Sequence, residues 1–200
     1  MADAAAIGGQ ALALRVLTFW ADMRGSMRGL LAEAPSEGRL LFLAMLSGLV
    51  AFLSGVAGLW LDPAAARIPP DELTARVAAN FVGAVFFRTL ALYGLAGIAG
   101  LAARAAGGHG DWRASRAAVF WSALAAAPVG FAATLADGFG PNGEGWAAIF
   151  IQSLAPVALA VALSWCLAEA HGFRRAGLVF LGVSLAAIGA VAAIGVAGSV

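Results

Sequence analysis

Five apolar runs divide this sequence, each close to the roughly 20 residues that cross a bilayer as helix. They cover 40–61, 77–103, 117–136, 146–168 and 176–197. Charged residues bracket them: Arg39 and Asp62, Arg76 and Arg104, Arg116 and Asp137, then Glu169 after the fourth and Arg174-Arg175 before the fifth. Backbone groups in lipid must find partners within their own segment, so such runs are expected as helices. The composition supports this. The chain is 62% hydrophobic and 12% charged, with a mean hydropathy of +0.90, where a soluble domain is about half apolar and a quarter charged. A 20.1 kDa domain has no room to bury that excess, so the bilayer is the expected solvent. The expected fold is all-α and polytopic: five transmembrane helices in 40–200, after a cytoplasmic N-terminal segment, 1–39, carrying an amphipathic interfacial helix.

Arginine orients the bundle. All 12 basic residues are Arg, which with the many Ala and Gly fits a GC-rich coding bias and a bacterial source. Arg15, Arg24, Arg28 and Arg39 precede the first run; Arg104, Arg113 and Arg116 lie between the second and third; Arg174 and Arg175 lie between the fourth and fifth. The loop DGFGPNGEG (137–145) and the tail have none. The positive-inside rule then expects a bacterial inner-membrane protein with a cytoplasmic N-terminus and a periplasmic C-terminus. Trp60 and Trp146 fall at the expected outer interface, and Trp112, Trp121 and Trp165 near the inner one. MADAAAIGGQALAL has no basic residue before its apolar part, so a cleaved secretory signal is not expected. The single cysteine, Cys166, allows no internal disulfide and reads as a small packing residue.

The stretch LALRVLTFWADMRGSMRGLL (12–31) places Val16, Phe19, Trp20, Met23, Met27, Leu30 and Leu31 at helical spacing. Arg15, Asp22, Arg24, Ser26 and Arg28 fill most of the other face. This reads as a helix on the cytoplasmic leaflet, with Arg15, Trp20, Arg24 and Arg28 at the membrane surface. The alternative is a helix packed on the ends of the bundle. In APSEG (34–38), Ser36 is positioned to cap the first span. Pro69-Pro70 with Asp71-Glu72 is positioned to start the second.

Arg88 sits near the centre of the second run, where a charge costs about 2.5–3.5 kcal/mol on insertion scales. No run contains Asp or Glu; the other strongly polar side chains are Asn80 and Gln152. Carbonyls freed by Pro128 and Pro156 are further partners to consider. Arg88, Asn80 and Gln152 therefore form the candidate polar site. It either anchors an anionic group, a lipid phosphate or quinone carbonyl, or locks helices together, or Arg88 snorkels because the helix is broken or shifted. In GLAGIAG (94–100), Gly94, Gly97 and Gly100 recur every three residues, with Ala96 and Gly100 four apart. Small residues let helices approach closely in lipid, so these read as helix-packing positions. Two loop motifs, HGD (109–111) and EAH (169–171), carry His and carboxylates, but no metal site is expected from residues so often merely solvated. His171 reads as a cation at a helix C-terminus. No Ser-His-Asp order, Cys-His pair, HExxH or P-loop is present, so no catalytic residue, metal or cofactor is assigned and no enzyme is expected. A net charge of +1 gives no field for nucleic acid.

The stretches ADMRGSMRGLLAEAPSEGRLLFLAML (21–46) and NFVGAVFFRTLALYGLAGIAGLAARAAGGHGDWRASRAAVFWSALAAAP (80–128) resemble bacterial Yip1-domain proteins of the alphaproteobacterial type. The resemblance runs from about 21 to 175 and weakens after 136. It implies a five-span fold with the same orientation. Eukaryotic members associate with small GTPases of the Rab type, but their acidic DLYGP-like motif is absent here, so that partner is not carried over. The family supplies no catalytic residues. The expected role is a non-enzymatic scaffold, assembly or membrane-organising factor, or an accessory subunit. Its expected partners are membrane lipids, copies of itself or other membrane subunits. The alternative is a lipid- or quinone-binding protein, or a small transporter, using Arg88.

Overall fold

The computed structural model of the chain describes residues 11–62, 64–140 and 145–197, with side chains described to 189 apart from 66. Residues 1–10, residue 63, the centre of the arginine-free loop at 141–144, and 198–200 lie outside the described residues. Everything described is helix or connection, with no strand among the described residues. Two short N-terminal helices, α1 (Leu12–Thr18) and α2 (Met23–Ala32), precede the long α3 (Glu37–Leu61). A 3₁₀ turn (Ala65–Arg67) leads to α4 (Pro70–Phe81), which continues through a π-helical segment (Val82–Phe87) into α5 (Arg88–Ala105). Then follow α6 (Trp112–Phe139), α7 (Trp146–His171) and α8 (Ala176–Ala197).

Four of these units are long and apolar enough to cross a membrane: Glu37–Leu61, Pro70–Ala105, Trp112–Phe139 and Trp146–His171. They contain the first four expected runs; α8 contains the fifth and is apolar over Ala176–Gly189. Caps set the boundaries. The Ser36 hydroxyl accepts from Arg39 N at the head of α3, as its position in APSEG implies. Pro70 occupies the first turn of α4 with Asp71 and Glu72 beside it. Asp111 Oδ1 accepts from Ala114 N (2.6 Å) to start α6. Gly172 ends α7 at φ +76°, a left-handed cap that a side chain would strain.

The central helix is α6, which packs against α3, α5 and α7 and carries α2 at one end. Half of its buried run from Ala117 to Ala126 is Ala, so neighbouring backbones come close. Towards the other end, Ser54 and Thr134 share a hydrogen bond of 2.7 Å between α3 and α6. Leu41, Phe42, Leu53, Leu90, Ile98, Ile149, Phe150 and Leu178 are exposed, which is the pattern of an outer face solvated by lipid. Trp60 and Trp146 are exposed at one end of the bundle, as interfacial anchors are. Trp121 departs from its expected place in the inner belt: it is wholly buried.

The N-terminal segment also departs from the sequence expectation. Two helices replace the single one, with the break at 19–22, and Asp22 caps the second by accepting from Gly25 N (2.8 Å). Phe19, Met27 and Leu30 are buried with the apolar side chains of α6 and α7. The apolar stripe thus covers the end of the bundle rather than facing outwards. Packing won because Trp121, Phe120 and Leu163 offer an apolar surface that this stripe matches.

Candidate functional site

The polar position inside the bundle is built around a change of helical pitch. Before Arg88 the chain runs through Val82–Phe87 with i→i+5 bonds, and Arg88 N donates to Gly83 O. Such widened turns are rare and often mark functional positions. Here α3 presses against the widened turn. A Cβ on Gly48 would lie 2.4 Å from Ala84 O and 3.3 Å from Val85 Cα. One turn after it, Thr89 Oγ1 donates to Val85 O at 2.6 Å.

Arg88 is half-buried, and its Nε is buried with no hydrogen-bond partner among the described residues. Neither expected companion reaches it. Asn80 Nδ2 donates to Phe52 O (3.4 Å) and packs where a Cβ on Gly55 would fall. Gln152 is exposed on α7. The carbonyls freed by Pro128 and Pro156 accept nothing from the Arg88 Nε among the described residues. The grouping of Arg88 with Asn80 and Gln152 is therefore corrected: three polar side chains stand apart, and Asn80 has a carbonyl of its own. Sequence position alone could not place their faces.

The glycine motif also divides. Gly100 is buried, and a Cβ there would meet Ser115 Oγ at 2.7 Å and Trp112 at 3.3 Å. It continues the buried stripe Thr89, Leu92, Ala96 and Ala103 of α5. Gly94 and Gly97 have nothing within 4 Å of a built Cβ. Among the described residues they pack against nothing. The true seam follows 3- and 4-residue steps, whereas a 3-residue repeat drifts around the helix.

At the end that carries the N-terminal helices, arginines are tied down one by one. Arg15 is buried, donates from Nη1 to Glu33 at 2.8 Å, and lies over the Trp121 ring with 5.4 Å to its centroid. It is a buried strut rather than a surface residue. Arg39 pairs with the same Glu33, and Arg116 with Glu37. Arg24 donates to Phe173 O (2.9 Å) and Arg174 O (3.2 Å), and Arg28 pairs with Glu169 (3.3 Å). Arg113 Nε donates to Pro35 O at 2.8 Å. Trp20 is half-buried against the core and stacks edge-on to Phe19. Of the four residues assigned to the surface, Arg28 alone is mainly exposed.

The HGD and EAH loops meet here. His109 N donates to His171 O (3.1 Å), and Gly110 sits against Ala170 O and the His171 ring. Their carboxylates are engaged: Asp111 caps α6 and Glu169 holds the two arginines. Among the described residues, no three His, Cys, Asp or Glu side chains are placed to hold a metal ion. The apolar part of α7 ends at Ala168, so His171 lies in a last turn beyond it. His171 is buried, and its Nε2 is 3.0 Å from Ser115 Oγ. Ser115 donates to Asp111 O, which assigns the ring proton to Nε2 and leaves Nδ1 without a partner among the described residues. Burial pushes the imidazole below its ordinary value; Arg104 adds to this and Asp111 opposes it. The cationic reading of His171 is thereby corrected. A cleft of about 390 Å³ opens beside it, lined by His109, Asp111, Arg113 and Pro35 among others.

Compared with known proteins, the chain matches no family model, no curated protein and no solved structure.

Proposed function

We propose that this chain is a non-enzymatic integral membrane protein that acts through helix contacts, as an assembly factor, scaffold or accessory subunit. The observation that carries this reading is the outward placement of Gly94, with half-buried Gly97 one turn on. No described residue lies within 4 Å of a Cβ built on either, and exposed Leu90, Ile98 and Leu101 stand beside them. Small residues among large apolar ones on a lipid-facing helix leave a groove for another helix. The proposed setting is the bacterial inner membrane, with α8 as a fifth crossing, the N-terminus cytoplasmic and the C-terminus periplasmic. The arginines held at the α1–α2 end support that orientation. Kinship with Yip1-domain proteins is part of the same proposal and rests on the sequence resemblance alone. A second reading, a lipid or quinone head group at Arg88, is favoured by the bare Nε.

The test uses single cysteines in a Cys166→Ala background. Gly94→Cys and Gly97→Cys should cross-link to a second polypeptide in native membranes, while Ala96→Cys and Gly100→Cys, on the buried face, should not. No adduct at 94 or 97, or equal adducts at all four positions, would remove the reading.

A further inference from the structure

An arginine inside a membrane segment is expensive unless an anion or a set of carbonyls answers it. Among the described residues, none of the chain's own groups does so. Arg88 has no ion pair or hydrogen bond to a described residue, Asn80 is committed to Phe52 O, and Gln152 is exposed on another helix. The arginine is half-buried and stands at the border of the packed and outward faces of α5. On the outward side, three and six residues further on, are the exposed small residues Ala91 and Gly94. A helix lying there would bring its backbone close to α5 and its side chains within reach of the guanidinium.

The chemistry of that occupant follows from charge. The runs 40–61, 77–103, 117–136, 146–168 and 176–197 contain no Asp or Glu. A second copy of this chain therefore has no carboxylate to offer at this depth. Gly48 against Ala84 O also fixes the helix just before Arg88, so the charge cannot readily be withdrawn by sliding α5. We infer that the outward face of α5 at Arg88, Ala91 and Gly94 receives a transmembrane helix of a different protein, one with an Asp or Glu in its membrane segment that pairs with Arg88. This rests on the helix-contact reading above and narrows it from any membrane partner to an acidic one.

The probe is a synthetic lysine-flanked polyleucine helix of about 20 residues carrying one Glu at its middle, with Leu and Gln versions as controls. The full chain and each peptide are labelled for energy transfer in phosphatidylcholine vesicles. The Glu helix should half-saturate the wild-type chain at about tenfold lower peptide density than the Leu helix. Arg88→Leu, which deletes no bond to a described residue, should fold and abolish that preference, and Arg88→Lys should keep most of it. Equal binding of the Glu and Leu helices overturns the inference, as does a preference that survives Arg88→Leu. A phospholipid or quinone that co-purifies with wild type but not with Arg88→Leu, and whose addition erases the Glu preference, also overturns it and assigns the arginine to lipid. Cross-links at Gly94 without any Glu preference would overturn this inference while leaving the helix-contact reading standing.

Discussion

The Arg15 guanidinium lies 5.4 Å from the centroid of the Trp121 ring, while its Nη1 holds Glu33 at 2.8 Å. One residue of α1 thus joins the first half of α6 to the end of α2. Trp121 completes the joint by donating from Nε1 to Ser26 Oγ at 3.1 Å. The N-terminal helices are held by this polar knot as well as by Phe19, Met27 and Leu30.

Arg15→Ala should therefore loosen α1 and α2 more than the rest of the bundle. It removes one of the two arginines on Glu33, leaving Arg39, and takes a buried cation from an aromatic face. A loss of about 1–3 kcal/mol is expected, from one charge-assisted hydrogen bond and one cation–π contact, and Arg15→Lys should restore only part of it, since an ammonium stacks poorly. Thermal unfolding in detergent, with trypsin cleavage after Arg24 and Arg28, measures both. Unchanged cleavage would contradict the joint.

Trp121→Phe keeps most of the buried aromatic volume but deletes the donor to Ser26. The expected cost is about 1–2 kcal/mol. Pairing it with Ser26→Ala should give less than the sum of the single losses. Strict additivity would show that the hydrogen bond contributes nothing.

Gly48→Ala and Gly94→Ala should act in opposite directions. At 48 the new methyl meets the backbone carbonyl of Ala84, which has no flexible end to swing aside, so a loss of about 1–3 kcal/mol is expected. At 94 no described residue lies within 4 Å of the new methyl, and Ala is the better helix former by up to about 1 kcal/mol. Denaturation of both variants side by side decides this; equal effects would mean that α3 does not press on the widened turn.

Ala34 adopts φ +46°, in the left-handed region where a Cβ is penalised. Its N–H donates to Leu31 O and its carbonyl accepts from Arg113, so the conformation is held from both sides. Ala34→Gly relieves about 1–2 kcal/mol of left-handed penalty and returns about 0.4–1 kcal/mol of chain entropy to the unfolded state, so it should stabilise the protein by up to about 1 kcal/mol. A destabilised Gly variant would contradict a strained turn.

His171 gives a pH dependence whose sign follows from its environment. Its value in the fold is lowered by burial and by Arg104, so over the interval below the ordinary imidazole value the unfolded chain binds more protons than the folded one. Its contribution is present above about pH 6.5 and is lost as pH falls below that. His171→Asn should flatten the fall in melting temperature between about pH 7 and pH 5. An identical slope in both proteins would place the pH response elsewhere.

Much of the fold is local in origin. The apolar runs, their bounding charges and the caps at Ser36, Pro70 and Asp111 specify where long helices begin and end. The faces are not local. The span segments are nearly uniformly apolar, and lipid is as apolar as a packed interior, so periodicity barely distinguishes inside from outside there. That is why Gly94, Gly97 and Gly100 look alike in the sequence, and why Gln152 falls into one group with Arg88.

The N-terminal segment shows the complementary case. Its amphipathic pattern identifies the stripe that is buried, Phe19, Met27 and Leu30, but not what covers it. The choice between lipid and bundle depends on a matching apolar surface on α6 and α7, which no window of sequence contains. The same holds for the HGD and EAH loops, which are far apart along the chain and meet only because folding sets His109 N on His171 O. By itself the sequence determined a chain of long apolar helices with arginine-rich connections, because hydropathy, caps and charge act over a few residues. Only the tertiary structure decided which charges are answered, because pairing needs groups from separate helices brought within a few ångströms; Arg15 found Glu33 and Trp121, and Arg88 found no partner among the described residues.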